Sequence, residues 1–303
     1  MKTPKFWNKK GIISKLLLPI SFIYGAITQW RLKFFKPYHS SAKVICIGNI
    51  TAGGVGKTPV AMAMAEKYLK LNKKVFFLTR GYKGKLDNVL VDLKKHSAAE
   101  TGDEARLLAM VAPTIIAHQR DKGAKMAEKM GAEVIIMDDG FQNPLVYKDE
   151  SWLVFDGTVG VGNGYIIPSG PLRETLANAE KRAHYILIMG EDKTGLAKKC
   201  RLPVYYGKVE AEPFNLKNKK VLAFAGIGHP YKFYQTLQSL GYEVVKTHDF
   251  ADHYAYQKGD VEALYQEAKK EKLSLVTTEK DYVKLSDEDK KKISVLKIRA
   301  VWK

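Results

Sequence analysis

Short apolar runs alternate with longer segments of helical periodicity along most of the chain. Strands are predicted where apolar, often β-branched residues follow one another, at 43–49, 74–79, 113–117, 133–138, 152–156 and 184–190. Helices are predicted between them, from the residues after Thr58 to about Leu71, and over 102–111 and 122–130. Strands separated by helices indicate a parallel sheet covered by helices on both faces. The expected fold class is therefore α/β, with a doubly wound parallel sheet.

The same alternation continues on a smaller scale toward the C-terminus. Strands are predicted over 221–225, 242–246 and 273–277, and helices over 231–240 and 261–270. A change of composition between Leu202 and Lys220, with two prolines and several lysines, predicts a linker. The expected organisation is an N-terminal segment over 1–40, a main domain over 41–205, a linker over 206–220 and a smaller α/β domain over 221–303.

The N-terminal segment has the pattern of a helix at a membrane surface. The uncharged stretch Leu16–Trp30 is shorter than the about 20 apolar residues of a spanning helix, and Pro19 interrupts it. Ser14, Ser21 and Thr28 recur every seven residues and place a narrow polar stripe on an otherwise apolar helix. Basic residues flank both ends, as in helices that lie among lipid headgroups. A cleaved signal peptide is disfavoured because no small-residue cleavage site follows, whereas a helix packed on its own domain stays open.

Charge is concentrated in the same segment. The chain of 303 residues has 50 lysines and arginines against 32 acidic residues, a net charge of +18. The first acidic residue is Glu66, and ten basic residues precede it. Such a block suits an anionic membrane surface or phosphate-bearing ligands. The two cysteines, Cys46 and Cys200, are too few and too far apart in sequence for a disulfide scaffold or a zinc knuckle.

A glycine-rich loop between a predicted strand and a predicted helix indicates a phosphate-binding site. The loop reads TAGGVGKT at 51–58 and follows the strand at 43–49. Its backbone can close around phosphate oxygens, Lys57 can reach the β- and γ-phosphates, and the Thr58 hydroxyl can ligate Mg²⁺. We therefore predict a P-loop NTPase-like site for ATP formed by Thr51, Ala52, Gly53, Gly54, Val55, Gly56, Lys57 and Thr58.

The loop departs from the usual GxxxxGK[ST] pattern at its start. Thr51 stands where glycine is usual, and Gly53 and Gly54 supply flexibility instead. Ala52 stands where one class of dimerising ATPases carries an additional lysine, which disfavours that class.

A metal site is predicted at the end of a neighbouring strand. The strand predicted from Glu133, apolar over 134–137, ends in Asp138 and Asp139, the position of a Walker B carboxylate beside a P-loop. Glu174 is a further candidate for the metal or the substrate. The spacing does not rank these three carboxylates as Mg²⁺ ligands.

Seven motifs in this order resemble the tetraacyldisaccharide 4′-kinase family, the lipid A 4′-kinases of Gram-negative bacteria. They are GNITAGGVGKTP, TRGY, GDE, QR, DDGFQ, PSGPLRE and DFADHY, and the resemblance covers about residues 5–283. It implies transfer of the γ-phosphate of ATP to the 4′-hydroxyl of tetraacyldisaccharide 1-phosphate, giving lipid IVA. It also implies a peripheral enzyme on the cytoplasmic face of the inner membrane, bound to the anionic inner leaflet. We expect a monomer that does not bind nucleic acid.

The resemblance also implies catalytic roles. Asp103 of the GDE motif would accept the hydroxyl proton, paired with His253 of the DHY motif, and Arg120 would contact phosphate. From the residues alone, Asp103 could equally cap a helix, Arg120 could form a salt bridge at a helix start, and His253 could be a packing residue. Asn143 and Tyr254 stand where the family often has histidine, so neither is expected to exchange protons.

Two other classes of P-loop protein remain open. A switch ATPase would hydrolyse nucleotide without a lipid acceptor, but the chain lacks an NKxD motif and the additional lysine. A nucleic-acid-associated protein would account for the charge, but the N-terminal stretch is too apolar for it. Because Asp103 and His253 fall in different predicted domains, we also predict a nucleotide-driven hinge motion that brings them together.

Overall fold

Two sheets and eleven α-helices organise the computed structural model, which describes residues 4–257 and 259–303. The strands are β1 Lys43–Gly48, β2 Val75–Thr79, β3 Val89–Leu90, β4 Thr114–Ile116, β5 Val134–Asp138, β6 Glu150–Asp156, β7 Tyr185–Met189, β8 Val204–Ala211, β9 Lys220–Ala225, β10 Glu243–Asp249, β11 Ser274–Thr278, β12 Ser294–Leu296 and β13 Ile298–Trp302. The helices are α1 Ile12–Leu16, α2 Leu18–Phe34, α3 Lys57–Leu69, α4 Ala98–Thr101, α5 Asp103–Ala109, α6 Arg120–Lys129, α7 Leu176–Glu180, α8 Pro230–Ser239, α9 Asp260–Lys270, α10 Glu279–Tyr282 and α11 Asp287–Lys290.

The larger sheet has nine strands in the order β13-β8-β7-β6-β1-β5-β2-β4-β3. The strands from β8 to β4 are parallel, and β13 and β3 add antiparallel edges. The chain leaves β1 toward β2 and β4, returns to β5, and then crosses to β6 on the other side of β1. Ligands of open α/β sheets bind at such a reversal. The predicted α/β fold is confirmed, and its topology places the ligand site at the carboxyl end of β1.

The smaller sheet is wholly parallel, in the order β10-β9-β11-β12. Its central strand β9 is buried from Val221 to Ala225. Phe233 and Leu237 of α8 pack on one face, and Val261 and Leu264 of α9 pack on the other. Strands β9, β10 and β11 and helices α8 and α9 are predicted from the sequence, each within a few residues of the expected bounds, whereas β12 is not.

Two predicted domain boundaries differ from the structure. Residues 206–211, expected in the linker, belong to β8 of the larger sheet. Residues 298–302, expected in the smaller domain, form β13, which returns to the larger sheet and pairs with β8. Burial explains the return, because Ala300 lies in the core of the larger sheet and the Trp302 ring is 6.1 Å from that of Trp152. The chain therefore crosses between the two sheets twice, at 212–219 and at 297.

The N-terminal helices place their polar stripe toward the protein and their apolar side chains outward. Ser21 is buried, and its hydroxyl donates to the Ile166 carbonyl at 2.8 Å and lies 2.8 Å from Ser169 Oγ. Ser14 is buried as well and accepts from Asn163 Nδ2 at 3.2 Å. The large apolar side chains left exposed on these helices are Ile12, Ile13, Leu16, Ile20, Phe22, Ile23, Tyr24, Ile27, Trp30 and Phe34. Within the described residues, no helix combines the length and apolarity needed to cross a bilayer.

Candidate active site

The glycine-rich loop lies at the carboxyl end of β1 and leads directly into α3. Gly56 has φ 83°, a left-handed conformation that glycine adopts without strain, and α3 begins at the next residue. A second loop holds the entry of the glycine-rich loop, because Ala52 N donates to the Pro171 carbonyl and Arg173 N donates to the Ile50 carbonyl, both at 2.7 Å. The predicted strand, loop and helix of a P-loop are therefore all present.

The P-loop side chains meet the two carboxylates that follow β5. Thr58 Oγ1 donates to Asp138 Oδ2 at 2.9 Å. Lys57 Nζ lies 3.6 Å from Asp139 Oδ1, and Arg173 Nη1 donates to the same oxygen at 3.1 Å. Parallel pairing of β1 with β5, which places Ile47 opposite Asp138, brings these groups together. The predicted juxtaposition of Lys57, Thr58, Asp138 and Asp139 is correct.

One carboxylate oxygen of Asp138, Oδ1, is buried without a hydrogen-bond partner in the described part of the chain. Burial, followed by the negative charge of nearby Glu104, raises the pKa of Asp138 to about 7. An unpartnered buried carboxylate is costly unless a cation or a donor compensates it. A carboxylate oxygen next to a threonine hydroxyl is a donor set that Mg²⁺ prefers, so the residues fit this ion.

The Glu174 carboxylate is surrounded by hydrogen-bond donors of the protein. It is buried, Arg182 donates to its Oε2, and Gln142 Nε2 donates to its Oε1 at 3.1 Å. Gln142 also donates to the Asn49 carbonyl at 2.8 Å. Both carboxylate oxygens thus accept hydrogen bonds from the protein. Through Gln142, Glu174 links the PSGPLRE motif to Asn49, just before the P-loop. The expectation that Glu174 ligates the metal is not supported by this arrangement.

Arg120 is a buried cation near the same strand ends. Its Nη1 donates to the Ala117 carbonyl, whereas its buried Nε has no partner within the described part of the chain. Burial, reinforced by the positive charge of Arg80, lowers the pKa of Arg120 to about 10. Arg120 forms no salt bridge within residues 4–257 and 259–303, so the alternative of a salt bridge at a helix start is not supported. A buried guanidinium with an unpartnered nitrogen suits an anion such as phosphate.

Asp103 and His253 contact each other across the two sheets. His253 Nδ1 lies 2.9 Å from Asp103 Oδ2 and 3.0 Å from Oδ1. Asp103 opens α5 after Gly102, which has φ 82° and approaches the Tyr82 carbonyl so closely that a Cβ would lie 2.4 Å from it. His253 has φ 62°, a strained conformation that recurs at functional sites. The predicted pairing of these two residues is confirmed.

The Asp103 carboxylate is stabilised in its charged form. Burial alone would raise the pKa of Asp103, but the hydrogen bond from His253 and the ammonium of Lys280 outweigh it and hold the pKa below its ordinary value. Asp103 is therefore a carboxylate over the whole physiological pH range, as an acceptor of a hydroxyl proton must be.

The sequence predicts no role for three neighbours of these residues, although Tyr82 lies in the TRGY motif and Gln142 in the DDGFQ motif. Lys280 Nζ lies 3.3 Å from His253 Nε2, the Tyr82 ring meets the His253 ring edge to face at 5.6 Å, and Gln142 holds Glu174. Lys280 follows the carboxyl end of β11, so the same strand-end reasoning that singled out Asp138 could have found it.

The comparisons with known proteins agree with this arrangement. The family described as tetraacyldisaccharide-1-P 4′-kinase matches residues 13–303. The tetraacyldisaccharide 4′-kinases of Paramagnetospirillum magneticum and Rhodospirillum centenum are each 42% identical to the chain, over 100% of it and over 95% and 93% of their own lengths. The crystal structure of LpxK from Aquifex aeolicus in complex with ATP superposes with a TM-score of 0.77 at 28% identity, covering 96% of each chain. The protein whose P-loop, paired carboxylates and Asp103–His253 contact are described above belongs to the tetraacyldisaccharide-1-phosphate 4′-kinase family.

Proposed function

We propose that this kinase transfers the γ-phosphate of ATP to the 4′-hydroxyl of tetraacyldisaccharide 1-phosphate, giving lipid IVA in lipid A biosynthesis. Family membership supports an ATP-dependent phosphotransferase that acts on a disaccharide lipid. The contact of Asp103 with His253 is the observation that supports transfer to an acceptor hydroxyl. A switch ATPase has no use for a general base that is held by a histidine from another domain.

Asp103 is the general base in this proposal. A sugar hydroxyl is a poor nucleophile at neutral pH, so a carboxylate must accept its proton as the new bond forms. The 4′-oxygen forms a bond to the γ-phosphorus, the bond from that phosphorus to the β-phosphate oxygen breaks, and ADP leaves. The 4′-hydroxyl proton passes to Asp103, whose orientation is set by His253 at 2.9 Å.

Charge neutralisation on the phosphates is assigned to the P-loop and two cations. Lys57 reaches the β- and γ-phosphates from the start of α3, and the helix N-terminus adds its positive dipole end. Arg120 contacts the transferring phosphate through its Nε, which has no partner among the described residues. Together these groups offset the charge that develops in the transition state.

Mg²⁺ would be held by Thr58 and Asp138, with Asp139 beside them. The support for this site is the unpartnered Oδ1 of Asp138 together with the Thr58 hydroxyl on its other oxygen. When bound, the ion neutralises phosphate charge and orients the β- and γ-phosphates.

The N-terminal helices provide the membrane-binding surface in this proposal. An acylated disaccharide stays in the bilayer, so the kinase must come to it. The apolar side chains of α1 and α2 point away from the protein, and Phe22 is 74% exposed although it is a large aromatic residue. Their burial in the acyl boundary, with the basic N-terminal block on anionic headgroups, would hold a monomer peripherally on the cytoplasmic face of the inner membrane.

The deciding experiment is ATP-dependent phosphate transfer to tetraacyldisaccharide 1-phosphate in detergent micelles, followed by mass spectrometry of the lipid. The wild-type enzyme should add one phosphate to the lipid. The Lys57→Ala and Asp103→Ala variants should lose most of this activity. Lys67→Ala, an exposed lysine on the same helix as Lys57, is the matched control and should behave as wild type. Continued ATP hydrolysis without a lipid product would instead identify a switch ATPase.

A further inference from the structure

We propose that Lys280 is a positioning residue that fixes the tautomer of His253, so that the imidazole donates its Nδ1–H to Asp103 and accepts at Nε2. This inference rests on the proposed function of Asp103 as the general base. It assigns a role to a residue that lies at the carboxyl end of a strand in the smaller sheet.

The contacts on the two ring nitrogens determine the tautomer. Lys280 Nζ lies 3.3 Å from His253 Nε2, and Asp103 faces Nδ1 at 2.9 Å. An ammonium has three donors and no acceptor, so the nitrogen that faces it must accept. A carboxylate only accepts, so the nitrogen that faces it must donate. The neutral imidazole with its proton on Nδ1 satisfies both contacts.

Lys280 stays charged in this environment. Burial alone would lower the pKa of Lys280, but the carboxylates of Glu104, Asp103 and Asp252 outweigh it and hold the pKa above its ordinary value. Lys280 Nζ lies 3.4 Å from Glu104 Oε1 and 4.0 Å from Asp103 Oδ2. The ammonium is therefore held by carboxylates on one side and directs a hydrogen toward the histidine on the other.

The remaining charged neighbour of the ring favours the opposite state. Asp252 Oδ1 lies 3.8 Å from His253 Nε2, and a carboxylate there favours a protonated Nε2 and an imidazolium. Among the described residues, the Tyr82 ring also meets the His253 ring, edge to face. Lys280 is closer to Nε2 than Asp252 is, and its positive charge disfavours the imidazolium.

Control of the histidine matters because it sets the strength of the base. An imidazolium at 2.9 Å would weaken Asp103 as a proton acceptor more than an ammonium at 4.0 Å does. By keeping the imidazole neutral, Lys280 ensures that the positive charge near Asp103 is its own ammonium at 4.0 Å and not an imidazolium at 2.9 Å. Asp103 then accepts a hydrogen bond from a neutral donor.

The segment that carries Lys280 is rigidly held. The Thr278 side chain caps α10 by accepting from Asp281 N at 3.1 Å. Asp281 is fully buried and accepts from Gly226 N and from the Tyr256 hydroxyl, both at 3.0 Å. This hydrogen-bond network fixes the end of β11 against the loop after β9, so the Lys280 ammonium is presented to His253 in one place.

The first test is ¹⁵N NMR of the His253 ring nitrogens in the full-length protein, assigned by comparison with His253→Asn. Wild type at neutral pH should show a protonated Nδ1 and an unprotonated Nε2. Lys280→Met should show the imidazolium pattern at a pH where wild type is still neutral, and Lys280→Arg should restore the wild-type pattern. A wild-type spectrum with the proton on Nε2 would overturn the inference without any variant, and so would an unchanged spectrum in folded Lys280→Met.

The second test is the pH profile of lipid phosphorylation. Lys280→Met should lose about tenfold in kcat at the acid end of the profile and less at the alkaline end, because the ring binds a second proton more readily once the ammonium beside Nε2 is removed. Lys232→Met is the matched control, since Lys232 also joins the two domains, through Asp156 at 2.9 Å, but contacts neither His253 nor Asp103 among the described residues. A loss in Lys280→Met that is equal at every pH would mean a structural role only.

Failure of the proposed function remains distinguishable from failure of this inference. If Asp103→Ala keeps full lipid phosphorylation, then Asp103 is not the base. The ring-nitrogen spectrum does not depend on activity, so it still decides whether Lys280 sets the tautomer.

Discussion

Asp103 and His253 are 150 residues apart in the chain, yet their side chains meet at 2.9 Å at the boundary between the two sheets. Each is held by its own sheet, Asp103 at the start of α5 and His253 in the loop after β10. A change in the relative position of the two domains therefore acts directly on the proposed base.

Nucleotide binding is expected to change the distance between the two domains. Two segments, 212–219 and 297, connect the sheets, and the P-loop lies in the larger one. Donor and acceptor labels at Lys129 and Gln238, measured by energy transfer, should report a shorter distance with ATP than without. The same pair in a Lys57→Ala background is the control and should report a smaller change. Distances that are independent of nucleotide would refute the hinge.

Asp138→Asn is expected to reduce lipid phosphorylation by at least about 100-fold, because the buried oxygen that would face the metal is replaced by an amide group. Chelation of Mg²⁺ should abolish wild-type activity, and added Mg²⁺ should restore it. Asp121→Asn removes a carboxylate from the surface pair with Lys125 and should stay within twofold of wild type. Full activity in Asp138→Asn would place the metal elsewhere.

Arg120→Met is expected to separate stability from activity. It replaces a buried, partly unpartnered guanidinium with an apolar side chain of similar length, so the melting temperature should stay the same or rise. Phosphate transfer should fall by about 100-fold because a cation near the phosphates is lost. A large drop in melting temperature together with retained transfer would mean that Arg120 has a structural role.

The pH dependence of stability should contain a contribution from Asp103. Its pKa lies below the ordinary value, so the ionised carboxylate stabilises the folded state at pH values above the unfolded-state pKa of about 3.9. This contribution disappears as the pH falls through the lower folded-state pKa. The difference in unfolding free energy between wild type and Asp103→Asn, from urea titrations, should therefore be constant near neutral pH and shrink below about pH 4. A difference that grows on acidification would contradict the lowered pKa.

Membrane binding should depend on the outward apolar face of α2. Phe22→Ser with Ile23→Ser removes two exposed apolar side chains, each worth about 1.5–3 kcal/mol when fully buried, so vesicle binding should fall by about 100-fold or more. Co-sedimentation with anionic phospholipid vesicles measures this. Tyr231→Ser removes an aromatic residue of similar exposure from the smaller domain and should leave binding unchanged. Equal losses in both variants would argue against a surface specific to α2.

The local elements of this protein follow from the sequence alone. Short-range effects determine the strand at 43–49, the loop at 51–58 and the helix after it. These effects are apolar periodicity, the conformations open to glycine and the unpaired N–H groups at a helix start. The same holds for the strand that ends at Asp138, since a buried parallel strand and the two carboxylates at its end are adjacent in sequence.

Tertiary structure decided which side chains face each other. The seven-residue spacing of Ser14 and Ser21 predicts one polar stripe, but only the packing against Asn163 and Ser169 turns that stripe inward. Glu174 is a plausible ligand by its motif, yet Arg182 and Gln142 occupy both of its oxygens.

The largest differences between the prediction and the structure come from contacts between residues that are distant in sequence. The alternation in 298–302 is that of an edge strand in either sheet, and its place beside β8 depends on which core buries Ala300. Lys280 meets His253 only because α10 and the loop after β10 are held together by Asp281 and its partners. Backbone periodicity encodes the elements locally, whereas the free energy that selects these pairings comes from burying side chains contributed by distant segments, which no single segment specifies.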